Sequence, residues 1–465
     1  MILDARSSEV SLDRRAQVVI VGAGACGLTI ARVLRDVADV LIIEGGGIES
    51  SPETPGLLEG DVVGLDYPLT ETRDRGFGGS TRIWAGYCAL FDPLDFENRP
   101  WLPETGWPIG YTDVAAYYPE AARLLNVADA CFDVRSFSER RSGTMPFTDE
   151  RLAPTVWRRG NLTARFGEHW RREFETSANA VTLTQATVVD LHSDPATGRI
   201  DRLVLRTLNG RSGEVKPGIV VLACGGIDTA RLLLQSKLYV ASRSMELVGR
   251  CFMEHPHLTV PGVRFSLRGW LQHWTGWNTC QFGERIYTYA LGLSELERRK
   301  RQLLNARMHI FRTPDMAEDS DPRMGLFTEQ SPDRESRVTL SDRQDQFGMR
   351  RARLDWRMNE LDWRSFETTA HVMLDAMAAE AGISRPQALS RDAVAVLHSN
   401  HQLGTTRMSL SSRDGVVDPD CRMHEAANCY IAGGGVFPTA SWANPTMTVM
   451  ALALRLGARL KTLLS

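Results

Sequence analysis

Several things are missing from this sequence of 465 residues, and each absence removes a class of function. No run of 18 uncharged apolar residues occurs, so no membrane-spanning helix is expected. The opening segment MILDARSSEVSLDRRAQ has no apolar stretch of the kind a secretory signal needs, so none is expected. Positive charge is not in excess: 54 Lys and Arg stand against 57 Asp and Glu, a net charge of −3. Neither a nucleic acid nor an anionic membrane is therefore expected as a partner. The eight cysteines (26, 88, 131, 224, 251, 280, 421 and 429) are scattered, with no CxxC pair. They read as small core residues or free thiols of a reducing compartment, with the cytoplasm as the default. No internal repeat and no low-complexity segment is present.

What remains is ordinary globular composition, 43% hydrophobic and 24% charged. The chain is too long for one compact core, and two domains are expected. Gln17 to Val21 is a short apolar run, suited to a strand buried on both faces of a parallel sheet. It leads into Gly22-Ala-Gly24-Ala-Cys-Gly27 and then a helical pattern from Leu28 to Arg35. A second strand, Asp39 to Glu44, ends in an acid. Gly22 allows the tight turn, Gly24 the approach of a pyrophosphate to the backbone, and Gly27 the packing of helix on strand. The helix N-terminus offers free N–H groups to phosphate, and Glu44 is suited to accept hydrogen bonds from ribose. A lone glycine motif is weak evidence; here strand, loop, helix, strand and acid come in order. The reading is a dinucleotide site, with FAD and NAD both open.

A second glycine-rich element, Arg75-Gly-Phe-Gly78-Gly79-Ser80-Thr81-Arg-Ile-Trp84, is expected to be buried because of Trp84 and its apolar neighbours. Trp101 to Pro119 is aromatic and proline-rich, unlike a sheet core. Strand signals return as one segment over Val181–Val189. They return again over Gly218–Ala223, which leads into Cys224-Gly-Gly and a helix from Ile227 to Gln235. From 259 to 365 alternating segments predict an antiparallel sheet with one covered face, followed by a helix near 360–381. Trp270, Trp274 and Trp277 at its start are suited to stack on a sugar ring or a cation, or to anchor a lid or interface. Near the end, HSNHQLGTTRMS is followed by a glycine-rich strand exit, AGGGVFPTAS, and by Asn444-Pro445-Thr446, which opens a final apolar helix. His398 and His401 both stand as candidate bases. Their i, i+3 spacing also suits a metal pair, but no carboxylate or third histidine stands beside them, so no metal is expected. His255 and His257 read as structural or supporting.

With these motifs in sequence, the chain resembles the glucose–methanol–choline (GMC) flavoprotein oxidoreductases over nearly its whole length. The resemblance is strongest over 17–47, 73–88, 218–257 and 397–460. It implies an α/β, doubly wound (Rossmann-like) FAD-binding domain and an α+β substrate domain on an antiparallel sheet. The expected division is 1–90, 180–258 and 395–465 for FAD, and 91–179 and 259–394 for the substrate. It implies FAD held by Gly22, Gly24 and Gly27 at the pyrophosphate, Glu44 at the ribose and the backbone of Val188 at the adenine. Gly78, Gly79, Ser80 and Thr81 would run past the flavin, and Ala223 ends the strand beside the cofactor. Gly434, Gly435 and Val436, with Asn444, Pro445 and Thr446, would close around the ribityl chain. The catalytic pair would be His401, three residues before Gly404, and Asn444, a His/Asn form that resembles pyranose oxidases and bacterial members. Two positions depart from the pattern. Ile83 stands where some pyranose oxidases tether FAD through histidine, so non-covalent FAD is expected. Gly433 stands where many members carry Asp, so backbone N–H groups must serve there.

The activity this implies is oxidation of an alcohol CH–OH to a carbonyl by hydride transfer to flavin. A small-molecule sugar, aminosugar or other polyol is the expected substrate, with natural-product biosynthesis as a setting. Oxygen or an unknown carrier would accept the electrons. A lyase of the hydroxynitrile type without net redox chemistry, and a non-catalytic flavin-binding protein, are the rival readings. The His401/Asn444 pair speaks against the last.

Overall fold

The structure is a computed structural model. It describes residues 1–49, 51–127, 132–141, 149–160, 165–236, 238, 243–265, 279–282, 285–311, 323–381, 383–384 and 389–465. Trp270, Trp274, Trp277 and Cys131 lie outside the described residues.

The apolar run at the front becomes the strand Arg14–Val21, in the middle of an eight-stranded sheet. Val40–Ile43 and then Ala180–Thr184 flank it in parallel on one side, and Ser212–Leu222 on the other. Val18, Val19 and Ile20 are wholly buried, which explains why the second half of this strand shows no polar alternation. Cys429–Ile431, from the far end of the chain, adds in parallel to Ser212–Leu222. The sheet is therefore completed only by the C-terminal segment. The final helix Thr446–Leu464 then packs against the first helix, Ala25–Leu34, where Gly457 leaves room for Val33.

The single strand expected over 181–189 is two strands. Ala180–Thr184 ends at Gln185, whose φ of 61° turns the chain, and Thr187–Ser193 starts an antiparallel meander with Ile200–Arg206 and Ser212–Leu222. The left-handed turn lets one stretch serve both the parallel and the antiparallel parts of the sheet. Alternation does not register such a turn, because the residue types on both sides suit strands.

A second sheet is antiparallel throughout. Its order is Val396–Leu397, His257–Val260, Arg323–Thr328, Ala306–Phe311, Arg285–Leu293, Leu152–Arg159 and Tyr87–Cys88. The helix Glu360–Ala381 covers it, burying Phe366, Met373 and Met377 in the core of this half. The expected single sheet over 259–365 thus needs correction at its end. Arg337–Gln344 and Arg350–Trp356 leave it and form a three-stranded sheet with Gly60–Gly64, which runs parallel to the latter. Their apolar faces, Val338, Leu354 and Trp356, join the same core as the first sheet. The proline at 332, after Glu329-Gln330-Ser331, interrupts the chain between the two sheets.

Candidate active site

The two glycine-rich loops meet. A Cβ on Gly79 would lie 2.8 Å from the Gly24 Cα, and a Cβ on Gly22, at φ 105°, would lie 2.5 Å from the Ala223 carbonyl oxygen. Only glycine fits either place. A cleft of about 430 Å³ opens over this floor. Gly22, Gly24, Glu44 and Val188 line one end, with Gly79, Ser80, Thr81 and Ala223 beside them. Gly434, His401, Asn444, Pro445 and Thr446 line it further along. Gly27 and Val436 lie behind the wall. Gly27 faces the Gly22 carbonyl, where a Cβ would stand 2.0 Å away. Val436 is 1% exposed, and its carbonyl accepts the Met408 N–H at 2.8 Å.

Two helices present their N-termini to this cleft. Gly24 precedes Ala25–Leu34, with no side-chain cap and no acid in the first turn. Pro445 precedes Thr446–Leu464, again without either. Free N–H groups and the positive end of the helix dipole are what a phosphate needs. Together with the glycine floor and a strand-end acid, they fit a dinucleotide.

Glu44 also holds the backbone around it. It is 6% exposed, and its two oxygens accept the Ala23 N–H at 2.8 Å and the Gly46 N–H at 2.9 Å. Burial pushes its carboxyl up, against those two N–H groups and Arg75, which pull it down. Glu44→Ala is therefore expected to strand two buried donors, each worth about 1–3 kcal/mol, and to loosen the phosphate loop. Titration of the apoprotein with FAD should give a clearly weaker affinity, while flavin reduction at saturating FAD stays near wild type. Equal affinity would remove Glu44 from the site. Arg75 opens the second glycine-rich element. It lines the cleft beside Glu44 and donates to Thr187 Oγ1 at 3.0 Å.

The second glycine-rich element is only partly buried. Ile83 is 48% exposed and lines the cleft, whereas Gly79 and Thr81 are buried. Phe77 is buried in the core, whereas Ile83 and the half-buried Trp84 line the cleft. The Thr81 hydroxyl is already engaged, donating to the Gly78 carbonyl at 2.6 Å and accepting the Phe166 N–H at 3.3 Å. Gly433, at φ 138°, has nothing within 4 Å of a hypothetical Cβ. Space would admit a side chain there, but the backbone disfavours one.

His401 and Asn444 are brought together across 43 residues, with Asn444 Nδ2 3.4 Å from His401 Nε2. His398 is not part of the cleft lining. Its Nδ1 meets Asn400 Oδ1 at 2.7 Å, and its ring lies 5.6 Å from that of Tyr67. Desolvation, and then the neighbouring His255, hold the His401 imidazolium well below the usual histidine range, so the ring is neutral near neutral pH.

Behind His401 stand two residues that a motif reading undervalues. His255 Nδ1 is 2.6 Å from His401 Nδ1, and His255 Nε2 is 2.9 Å from the Ala440 carbonyl oxygen. The carboxylate of Glu254 accepts the His401 N–H at 2.6 Å and the His255 N–H at 2.5 Å. Burial pushes its carboxyl up to about 8, opposed by these N–H bonds. Mutual backbone bonds of 3.0 Å between Met253 and Leu403 clamp the two segments side by side. The signal for Glu254 was present in Met-Glu-His-Pro-His, but nothing in that string tells which distant backbone the carboxylate will hold.

Asn444 is backed by a buried ionic cluster. Asp95 accepts from the Ser441 hydroxyl at 2.5 Å, and its backbone carbonyl accepts from Thr439 at 3.2 Å. Around it, Arg99 pairs with Glu329 at 2.5 Å, and Arg298 and Arg307 pair with Asp92 at 2.9 and 3.1 Å. Among the described residues no cluster of three His, Cys, Asp or Glu side chains could hold a metal ion. Among them, too, no helix is long and apolar enough to cross a membrane.

Residues 332–453 match the family model for GMC oxidoreductase. Paromamine 6'-oxidase of Streptomyces fradiae is 25% identical over 513 residues, covering 95% of this chain and 91% of that protein. The fructose dehydrogenase large subunit of Gluconobacter japonicus is 25% identical over 536 residues, covering 95% and 96%. Among solved structures, an FAD-dependent oxidoreductase from Chaetomium thermophilum has the same fold, with a TM-score of 0.64 at 14% identity over 96% of this chain and 99% of that one. The matched stretch includes His401 and Asn444, and the relatives align over nearly their whole lengths. Over residues 332–453 the chain is thus similar to the GMC oxidoreductases, and over nearly its whole length it is similar to enzymes that oxidise or dehydrogenate sugar-like alcohols.

Proposed function

We propose that this protein oxidises a CH–OH group of a sugar-like or aminosugar alcohol to a carbonyl, with His401 as the base. The observation that carries the reading is the His401–Asn444 pair, 3.4 Å apart on the wall of the dinucleotide cleft. When bound, FAD supplies the hydride acceptor. Gly22, Gly24 and the helix start at Ala25 would hold its pyrophosphate, and Glu44 would meet its ribose. His401, neutral and desolvated, takes the hydroxyl proton as the hydride leaves carbon. Asn444 donates a hydrogen bond to the same oxygen without adding charge. The substrate class draws on the relatives, which include a paromamine oxidase and a fructose dehydrogenase.

FAD is held without a covalent link in this reading. Ile83 offers no nucleophile. Of the two cysteines that line the cleft, Cys26 is buried and Cys224 half-buried, and desolvation pushes both thiols up to about 12, far from the reactive thiolate. Acid precipitation should release all yellow colour into the supernatant; colour kept in the pellet would refute the non-covalent link.

The function itself is tested by anaerobic mixing of the yellow holoenzyme with a panel of sugars, aminoglycosides and simple alcohols. Bleaching of the flavin band by members of the first two groups is the expected result. Bleaching by none of the panel would overturn the reading and favour chemistry without net redox.

A further inference from the structure

We infer that His255 is a positioning residue that sets the tautomer of His401 and leaves its Nε2 as the bare nitrogen on the cleft side. The inference rests on the reading of His401 as the base, and it follows from counting protons along one chain of contacts. The Ala440 carbonyl can only accept, so the His255 Nε2 at 2.9 Å carries a hydrogen. Burial pushes the His255 imidazolium down to about 4, and His401 is also held neutral. A neutral ring carries one N–H, so His255 Nδ1 presents a lone pair. The 2.6 Å contact between the two Nδ1 atoms then needs its single hydrogen from His401. With its hydrogen on Nδ1, neutral His401 has a lone pair on Nε2, the nitrogen beside Asn444.

The geometry is held from behind. Glu254 takes the backbone N–H of both histidines, one on each carboxylate oxygen. The rings stand edge to face, with centroids 4.7 Å apart and an interplanar angle of 80°. That arrangement suits an in-plane lone pair meeting an N–H and does not suit stacking. When the substrate hydroxyl gives its proton to His401 Nε2, the hydrogen on Nδ1 stays in place, and its bond to His255 becomes charge-assisted and stronger. His255 therefore acts twice, by presetting the basic nitrogen and by stabilising the imidazolium that forms. His257 is two residues on and takes no part in this chain; its ring stacks on Phe327 at 4.7 Å.

The test combines a direct readout with kinetics. Nitrogen-15 NMR of the oxidised holoenzyme labelled in histidine, with His401 assigned by the loss of its signals in His401→Gln, reports which ring nitrogen carries the proton. A hydrogen on Nδ1 is expected; a hydrogen on Nε2 overturns the inference whatever the variants do. In rapid mixing, His255→Ala is expected to slow flavin reduction about ten- to a hundred-fold with KM and FAD content unchanged. His255→Asn puts an amide oxygen near the place of Nδ1 and should recover most of that loss. If His255→Ala does not fold, the NMR result on the wild type decides alone. A wild-type rate in His255→Ala beside a crippled His401→Ala overturns the inference and leaves the base reading intact. Wild-type rates in both overturn the base reading itself.

Discussion

Replacing His401 by alanine is expected to lower the rate of anaerobic flavin reduction about 10²- to 10⁴-fold, the usual worth of general-base assistance, while FAD remains bound. The ring reaches the reaction through Nε2, and its backbone is already held by Glu254, so the loss should fall on chemistry rather than on folding. Asn444→Ala removes a neutral hydrogen bond of about 0.5–1.5 kcal/mol and should cost correspondingly less. His398→Ala is the control: that side chain bonds Asn400 and lies outside the cleft lining, so its rate should stay near wild type. The pH profile adds an independent check. The base works only when neutral, so the rate rises with pH through the imidazolium pKa. Because burial and His255 place that pKa well below 6.5, the wild type should show a flat rate from about pH 6.5 upward. An acid limb centred at the ordinary histidine value would argue against a desolvated His401. Rapid mixing of the three variants across pH decides the matter; a large loss at 398 with a normal rate at 401 would place the base at His398.

The second large effect is on stability. Arg99 and Glu329 are each 1% exposed at the side chain and joined by two hydrogen bonds, at 2.8 and 2.5 Å. Glu329 also accepts the Asn305 N–H at 2.9 Å. Glu329→Gln would leave the Arg99 guanidinium buried without its counter-charge, which costs about 3–5 kcal/mol. Arg99 sits a few residues from Asp95, which ties down the Ser441 hydroxyl just before Asn444. The variant should therefore unfold at markedly lower urea concentration and, while still folded, reduce its flavin more slowly. Replacing both partners by apolar residues of similar size should recover much of the stability, because the cost lies in the unpaired charge. A urea midpoint unchanged in Glu329→Gln would show that the pair is not a load on folding.

The front of the site was readable because it is local. Residues 22–44 hold loop, helix, strand and acid in one stretch, and the structure lays Gly22, Gly24 and Glu44 along the same cleft. His401 and Asn444 came from a family pattern, since the residues alone left His398 as an equal rival. The alternation of 337–344 and 350–356 correctly marked strands with one covered face. It could not say what covers them, and the partner turned out to be Gly60–Gly64, nearly three hundred residues earlier. The turn at Gln185 was invisible for a similar reason: a left-handed φ in a non-glycine residue leaves no mark in hydropathy.

By itself, then, the sequence determined the dinucleotide fold and its completion from both ends of the chain. These rest on short-range spacing and on motif order, both of which are written along the chain. Only the tertiary structure decided that His398 stands aside, that Glu254 grips two backbones at once, and that His255 meets His401 nitrogen to nitrogen. The reason is physical. Which nitrogen of an imidazole carries the proton depends on what its partners can donate or accept, and here those partners are 146 and 185 residues apart along the chain.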